Sequence, residues 1–141
     1  MSDDLYQQAI MQRAKSPVRA GRLASPDASV TVDNPLCGDR ITLDLKLEGG
    51  KIADVAHQVR GCALCQASAS VMAAAVVGQS TAAVTSAQDK VKAMLGGGDI
   101  PPSPWEELGI FTPVRRHKSR HDCVVLPFDA LAQAIAQAGK S

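Results

Sequence analysis

Two observations predict an α+β fold for this chain, in which a layer of helices covers a three-stranded antiparallel meander. Residues 29–59 contain three short stretches in which apolar and polar residues alternate, a pattern typical of half-buried strands. From residue 62 onwards the apolar residues are instead dense or recur at helical spacing. The 141 residues suffice for a hydrophobic core, and we therefore expect residues 1–141 to form a single domain.

The first predicted helix precedes the strands. A capping sequence at residues 2–4 opens it, and Ile10 is one of its apolar positions. Pro17 ends it, because proline lacks the amide hydrogen that a helix interior requires. Residues 18–26 are interpreted as a surface connector to the first strand.

The three strands are predicted at residues 29–33, 41–47 and 52–59. In the second strand four aliphatic residues share one face, whereas Thr42, Asp44 and Lys46 share the other, which we expect to face water. Gly49-Gly50 predicts a tight hairpin between the second and third strands.

The helical layer follows in three parts. One buried helix is predicted over residues 62–77, and a second runs from the capping pair Ser80-Thr81 to the glycines at 96–98. Residues 96–113 are rich in proline and predict an excursion between helices. A last helix includes Cys123, and Pro127 inside it predicts a kink or a fresh start.

Composition excludes several classes of function. A formal net charge of +1 provides no field for binding nucleic acid or an acidic membrane surface. No apolar run is long enough to span a bilayer, and the acidic start lacks the apolar stretch of a signal peptide. We therefore expect a cytoplasmic protein, in whose reducing surroundings cysteines serve more often as ligands or nucleophiles than as disulfides.

The first cysteine stands in the turn Cys37-Gly38-Asp39, at the predicted tip of the sheet. Gly38 permits backbone angles closed to other residues, so that Cys37 and Asp39 can point toward a common centre. The alternative is an ordinary turn with a buried cysteine and a solvated aspartate.

The other three cysteines lie in the helical half. Cys62 is predicted at the start of a helix, where unpaired N–H groups favour the thiolate, and Cys65 follows on the same helical side. Such a C-x-x-C pair is compatible with a zinc knuckle, a redox pair or two small apolar residues. Cys123 follows a basic stretch at residues 115–121, whose cations would support a thiolate, or is simply buried in its helix.

Three histidines are also possible ligands. We expect His57, His117 and His121 to be surface residues rather than ligands, with His121 the least secure because it lies two residues from Cys123.

Together these motifs resemble the IscU/NifU N-terminal scaffolds of iron–sulfur cluster assembly. The residues that carry the resemblance are Asn34-Pro35-Leu36-Cys37-Gly38-Asp39, Gly61-Cys62-Ala63, Gln66-Ala67-Ser68-Ala69-Ser70 and the basic stretch ending in Cys123 and Leu126. The resemblance extends over almost the whole chain. The excursion at 96–113 is similar to the insertion of the SufU-type branch, and Asp122 stands where IscU proteins have a histidine before the last cysteine.

The resemblance implies a site of three thiolates and one carboxylate. Cys37, Cys62 and Cys123 would be the sulfur ligands and Asp39 the oxygen ligand of a transient [2Fe–2S] cluster, or of Zn²⁺ in the cluster-free form. Thiolates suit both, whereas a carboxylate is a weaker partner, so Asp39 would keep the cluster labile. Cys65 departs from the family pattern: it is an alternative fourth ligand, a resolving thiol or, as we favour, a buried residue.

Three functions compete at this point. The first is a scaffold, not itself an enzyme, that receives sulfur from a SufS-type cysteine desulfurase and passes a nascent cluster to apo iron–sulfur acceptor or carrier proteins. The second is a zinc-dependent sulfurtransferase partner of that desulfurase, with Cys37 or Cys123 as the sulfur acceptor. The third is a structural zinc domain with four cysteine ligands, which the carboxylate at Asp39 disfavours.

Overall fold

The computed structural model describes residues 8–34 and 38–139 and confirms the α+β class. The strands are β1 (Ala28–Asn34), β2 (Asp39–Glu48) and β3 (Lys51–Arg60). The α-helices are α1 (Gln8–Lys15), α2 (Ala63–Val76), α3 (Thr81–Leu95) and α4 (His121–Gly139), and 3-10 helices occupy Glu106–Arg116 and Lys118–Arg120. The predicted cap of α1 at residues 2–4 lies outside the described residues.

The strands form one antiparallel sheet in the order β1-β2-β3, as the meander predicts. Register places Val30 opposite Leu43 on one side of β2, and Leu43 opposite His57 on the other. Gly49 and Gly50 turn the chain between β2 and β3 with positive φ angles of 60° and 78°. Glycine is favoured there because a side chain is strained in this region of backbone conformation.

The core lies between the sheet and two helices. The alternating aliphatic residues of β2 face inward, and Ile41, Leu43 and Leu45 are fully buried. α4 packs on β1 and β2, and α2 packs on β3 and α4. The run of small residues in α2 explains its position, because alanine and serine allow neighbouring elements to approach its backbone closely.

The second half of the excursion at 96–113 packs into the core, whereas residues 96–100 are exposed. Residues 106–113 of the excursion belong to the first 3-10 helix, whose Leu108 and Phe111 are fully buried. Trp105 meets Phe128 of α4 edge-to-face, with 5.8 Å between ring centroids. The guanidinium of Arg13 in α1 donates to both carboxylate oxygens of Glu107 and ties the excursion to the first helix.

The connector at residues 18–26 lies at the surface as predicted, with every residue exposed or half-buried, but the prediction of a wet face on β2 is wrong at Asp44. The backbone of the connector's first part pairs with β3, since Gly21 N–H donates to His57 O and His57 N–H donates to Arg19 O. The predicted wet face of β2 is interrupted, because Asp44 is completely buried. Asp44 is buried because it contacts the connector, and the alternation of residues within β2 gives no indication of such tertiary contacts.

Pro127 does not produce a fresh start, since α4 continues through it as one helix. Nearby, Ser68 Oγ of α2 donates a hydrogen bond of 2.5 Å to the carbonyl of Val124. This bond between helices joins α4 to α2 at the residue next to Cys123. Across residues 8–34 and 38–139, no helix combines the length and apolar character required to cross a membrane.

Asp44 is expected to stabilise the sheet through its buried hydrogen bonds. It accepts hydrogen bonds from Arg22, Ser29 Oγ and the Leu23 N–H. Burial would raise the pKa of this carboxyl, but the bonds from Arg22, Ser29 and Leu23 outweigh burial and hold the pKa below its ordinary value of 3.8.

We expect Asp44→Ala to lower the free energy of unfolding by about 2–3 kcal/mol at pH 7, measured by urea denaturation. Because the folded pKa is depressed, the carboxylate stabilises fully above pH 3.8 and loses this effect as the pH falls through the folded value. The difference between wild type and mutant should therefore shrink in acid. Asp33→Ala is the control, since its ion pair with Arg40 is half exposed, and an equal loss there would contradict the prediction.

Candidate metal centre

Three side chains from different elements converge at one end of the sheet. Asp39 is the first residue of β2, Cys62 is the residue immediately before α2, and Cys123 lies in the first turn of α4. One oxygen of Asp39 and the two sulfur atoms all lie within 4.8 Å of one another. Within the part of the chain that the structure describes, this is the one group of three or more such ligands at that spacing.

Asp39 is held against the N-terminus of α2. Its side chain is buried, with 2% of the residue exposed, and its Oδ1 accepts a 2.9 Å hydrogen bond from the Cys62 N–H. That N–H is one of the helix-terminal donors that have no partner inside the helix, and the positive end of the helix dipole favours a carboxylate. Asp39 thus caps the N-terminus of α2, since the Cys62 side chain makes no capping hydrogen bond.

The second oxygen of Asp39 faces the sulfur of Cys62. The thiol of Cys62 donates to Asp39 Oδ2 over 3.4 Å. The carboxylate therefore contacts Cys62 twice, through the main chain and through the side chain. Oδ1 is bonded to the N-terminus of α2, whereas Oδ2 lies close to the Cys62 sulfur.

The Cys62 thiol is acidified by its neighbours. A hydrogen bond from the Cys123 thiol and a smaller one from the Cys65 N–H lower its pKa, whereas partial burial and the carboxylate of Asp39 raise it. The balance lowers the pKa of Cys62 from an ordinary 9.0 to about 7. Near neutral pH the group therefore carries substantial thiolate, the form that binds metal.

Cys123 and Cys65 are both fully buried, but in different surroundings. Cys123 reaches the site from the start of α4, and its sulfur belongs to the group of three. Cys65 packs in the core on α2 and is absent from that group; it contributes its backbone N–H to the Cys62 sulfur. This position favours the buried interpretation of Cys65 over the ligand interpretation.

The remaining predicted ligand, Cys37, lies outside the described residues, with Pro35 and Leu36. The described residues on its two sides lie close together, since Gly38 N–H donates to Asn34 O over 2.8 Å. Gly38 has a φ of 73°, a backbone conformation that glycine adopts more readily than other residues, as predicted from the sequence.

No histidine of residues 8–34 or 38–139 belongs to the group of three. His57, predicted at the surface, is instead buried, with 2% exposed, and its Nε2–H donates to Val18 O. His57 lies on the same strand face as Val55, two residues earlier. This alternation is the sequence signal that indicates its burial. The ring of His121 donates through Nε2 to the carbonyls of Val114 and Arg115.

The basic stretch before Cys123 is in part structural. Arg115 donates through Nε to the carbonyl of Met94 over 2.8 Å, and through Nη2 to the carbonyl of Gly98. These carbonyls lie at the end of α3, where a helix has acceptors without internal partners. This guanidinium therefore caps α3, a role that spacing along the sequence did not indicate.

The donor set suits a thiophilic metal. Two sulfur atoms and one carboxylate oxygen are the ligand types of zinc and of iron–sulfur sites, whereas calcium and magnesium require oxygen ligands. The lowered pKa of Cys62 and the short separation of the three atoms both favour binding of a cation.

Comparison with known proteins identifies the family. The NifU-like N-terminal domain family matches residues 5–140. The chain belongs to this family. The resemblance inferred from its cysteine motifs is confirmed.

Relatives carry two kinds of name. An iron–sulfur cluster assembly scaffold protein IscU of Streptococcus pyogenes is 32% identical over 140 residues, which cover 97% of this chain and 86% of the relative. The zinc-dependent sulfurtransferase SufU of Bacillus subtilis is also 32% identical, over 96% of this chain and 92% of the relative.

A solved structure confirms the fold. The N-terminal NifU-like protein of Brucella abortus superposes with a TM-score of 0.94 at 40% identity, covering 99% of this chain and 98% of that one. The SufU scaffold from Fervidobacterium islandicum has a TM-score of 0.88 at 27% identity, covering 96% and 99%.

Reactivity of Cys62 tests the electrostatics of the site. In metal-free, reduced protein we expect alkylation of Cys62 by iodoacetamide to reach half its maximal rate near pH 7, followed by peptide mass spectrometry. Cys123→Ala removes the main stabilising hydrogen bond and should move the midpoint upward. Asp39→Asn removes a negative charge and should move it downward. Shifts in the same direction for both variants would contradict this account of the pKa.

Proposed function

We propose that this protein is a scaffold for iron–sulfur cluster assembly. It receives sulfur from a cysteine desulfurase, holds a nascent [2Fe–2S] cluster, and passes it to apo-proteins. The observation that carries the proposal is the convergence of Asp39, Cys62 and Cys123 within 4.8 Å in a chain of this family. Cys37 is proposed as the third thiolate ligand, and Zn²⁺ as the occupant in the cluster-free form.

The protein's own groups would perform three tasks. Cys62, with its lowered pKa, presents a thiolate at neutral pH without a separate base. Cys123 donates a hydrogen bond to it and is shielded from solvent, which protects bound sulfide from water and oxidants. Asp39 contributes a single weak ligand, so that the cargo can leave when an acceptor protein offers thiolates.

A second function is supported by the similarity to SufU. On this alternative the protein is a zinc-dependent sulfur acceptor that activates a SufS-type desulfurase. Zn²⁺ would orient the thiolates, and Cys37 or Cys123 would accept the persulfide sulfur. The two relatives with equal identity carry one function each, so the choice requires an experiment.

Anaerobic incubation with a SufS-type desulfurase, cysteine, ferrous iron and a thiol reductant, which reduces persulfide sulfur to sulfide, distinguishes the two functions. A scaffold should develop a visible absorption band of a [2Fe–2S] cluster, and Cys123→Ala should abolish it. Faster desulfurase turnover with zinc retained and no such band would contradict the scaffold proposal in favour of sulfur transfer.

The role proposed for Asp39 is tested by cluster lifetime. We expect Asp39→Ala to retain its cluster longer than wild type, because the weak ligand that favours release is lost. The measurement is the rate of cluster transfer to an apo-ferredoxin. Faster transfer from the mutant would refute this role.

Cys65 is expected to be dispensable for metal binding. Because its side chain is buried in the core, Cys65→Ser should bind zinc with the stoichiometry of wild type. Cys62→Ser is the matched control in the same helical turn and should lose tight binding. Loss of binding in Cys65→Ser, in a protein that remains folded by circular dichroism, would restore the ligand interpretation.

A further inference from the structure

Gly61, between β3 and α2, is a glycine that the backbone conformation does not explain. It is not among the glycines with positive φ, unlike Gly38 and Gly78. The main chain at this position therefore has a conformation that other residues also adopt. Glycine is therefore required here because a side chain would not fit, and not because the backbone needs conformational freedom.

The space around Gly61 is taken by the carboxylate of Asp39. A Cβ atom at residue 61 would lie 2.2 Å from Asp39 Oδ1, 2.6 Å from its Cγ and 2.9 Å from its Cβ. All three distances are shorter than any contact that a real Cβ makes. The first two atoms are the carboxylate itself, so a side chain at residue 61 and Asp39 cannot both keep their places.

Asp39 has little freedom to avoid such a clash. It is 2% exposed, its Oδ1 is bonded to the Cys62 N–H, and its Oδ2 lies 3.4 Å from the Cys62 sulfur. The atom that comes closest to the added Cβ is the one that accepts from Cys62 N–H. Relief of the clash therefore requires this hydrogen bond to break and the second oxygen to leave the sulfur atoms.

We propose that Gly61 is a positioning residue for the metal centre: because it has no side chain, it leaves room beside the main chain for the Asp39 carboxylate, which the Cys62 N–H holds and whose second oxygen faces the Cys62 thiol. The inference rests on the proposed metal-binding function. It adds to that function a residue that acts on the metal through Asp39 and contributes no ligand atom. In this arrangement Oδ1 anchors the carboxylate and Oδ2 remains the oxygen available to a metal.

The test is Gly61→Ala, with zinc affinity measured by competition with a chromophoric chelator and with the visible spectrum of the Co²⁺ form. We expect zinc affinity to fall by about 10- to 100-fold, the usual effect of losing a group that orients a ligand. The Co²⁺ absorption should change as it does in Asp39→Gly, since both variants remove the carboxylate oxygen. Unchanged affinity and spectrum would overturn the proposal.

Gly98→Ala is the matched control for a clash away from the site. Gly98 also has no positive φ, and its added Cβ would lie 2.9 Å from the Ala93 carbonyl oxygen, at the end of α3. This variant should lose thermal stability but keep wild-type zinc affinity and the wild-type Co²⁺ spectrum. The same spectral change in Gly98→Ala would show that the Gly61 effect is not specific and would overturn the proposal.

A double mutant shows whether Gly61 acts through Asp39. Asp39→Gly removes all three atoms that the new Cβ would meet, so Gly61→Ala/Asp39→Gly should bind zinc within about twofold of Asp39→Gly alone. A further loss in the double mutant as large as the loss in the single mutant would mean that Gly61 acts on the backbone, and would overturn the proposal.

Folding and function remain distinguishable in this design. If Gly61→Ala does not fold, the double mutant must recover a cooperative thermal transition because its clash is gone, and failure to do so contradicts the inference. If wild type binds metal and Gly61→Ala is unaffected, only this inference fails. If wild type binds neither zinc nor cobalt, the proposed function fails and the inference with it.

Discussion

The buried carboxylate of Asp39 is the constraint on which the arrangement of the site depends. A carboxyl group at 2% exposure must be hydrogen-bonded, and its donor here is the N–H of Cys62 at the N-terminus of α2. That bond joins the start of β2 to the junction of β3 and α2. Cys62 is consequently brought to the carboxylate by its own main chain.

The second constraint is the packing of α4 against α2, which delivers Cys123. Small residues in α2 allow close approach, and the bond from Ser68 to the Val124 carbonyl fixes α4 at the residue next to Cys123. The thiol of Cys123 then lies within hydrogen-bonding reach of Cys62. The acidity of Cys62 is therefore a result of helix packing.

The excursion and the basic stretch support this arrangement from outside the site. Trp105 stacks edge-to-face on Phe128, and Glu107 binds Arg13, so residues 105–107 contact both α4 and α1. Arg115 closes the end of α3, and the ring of His121 bonds to the preceding 3-10 helix. These contacts hold the segment that leads directly into α4 and Cys123.

Local pattern by itself determined the element order, the meander, the glycine turns and the candidate ligands, because alternation, helical spacing and cysteine motifs are properties of neighbouring residues. It did not reveal that Asp44 and His57 are buried, since the segment that covers them is distant along the chain. The spacing of Cys62 and Cys65 left the role of Cys65 open, although the family resemblance favoured its burial, and no local pattern showed that Gly61 makes room for Asp39. Only the tertiary structure decided these points, because each depends on which side chain from another element occupies the neighbouring space.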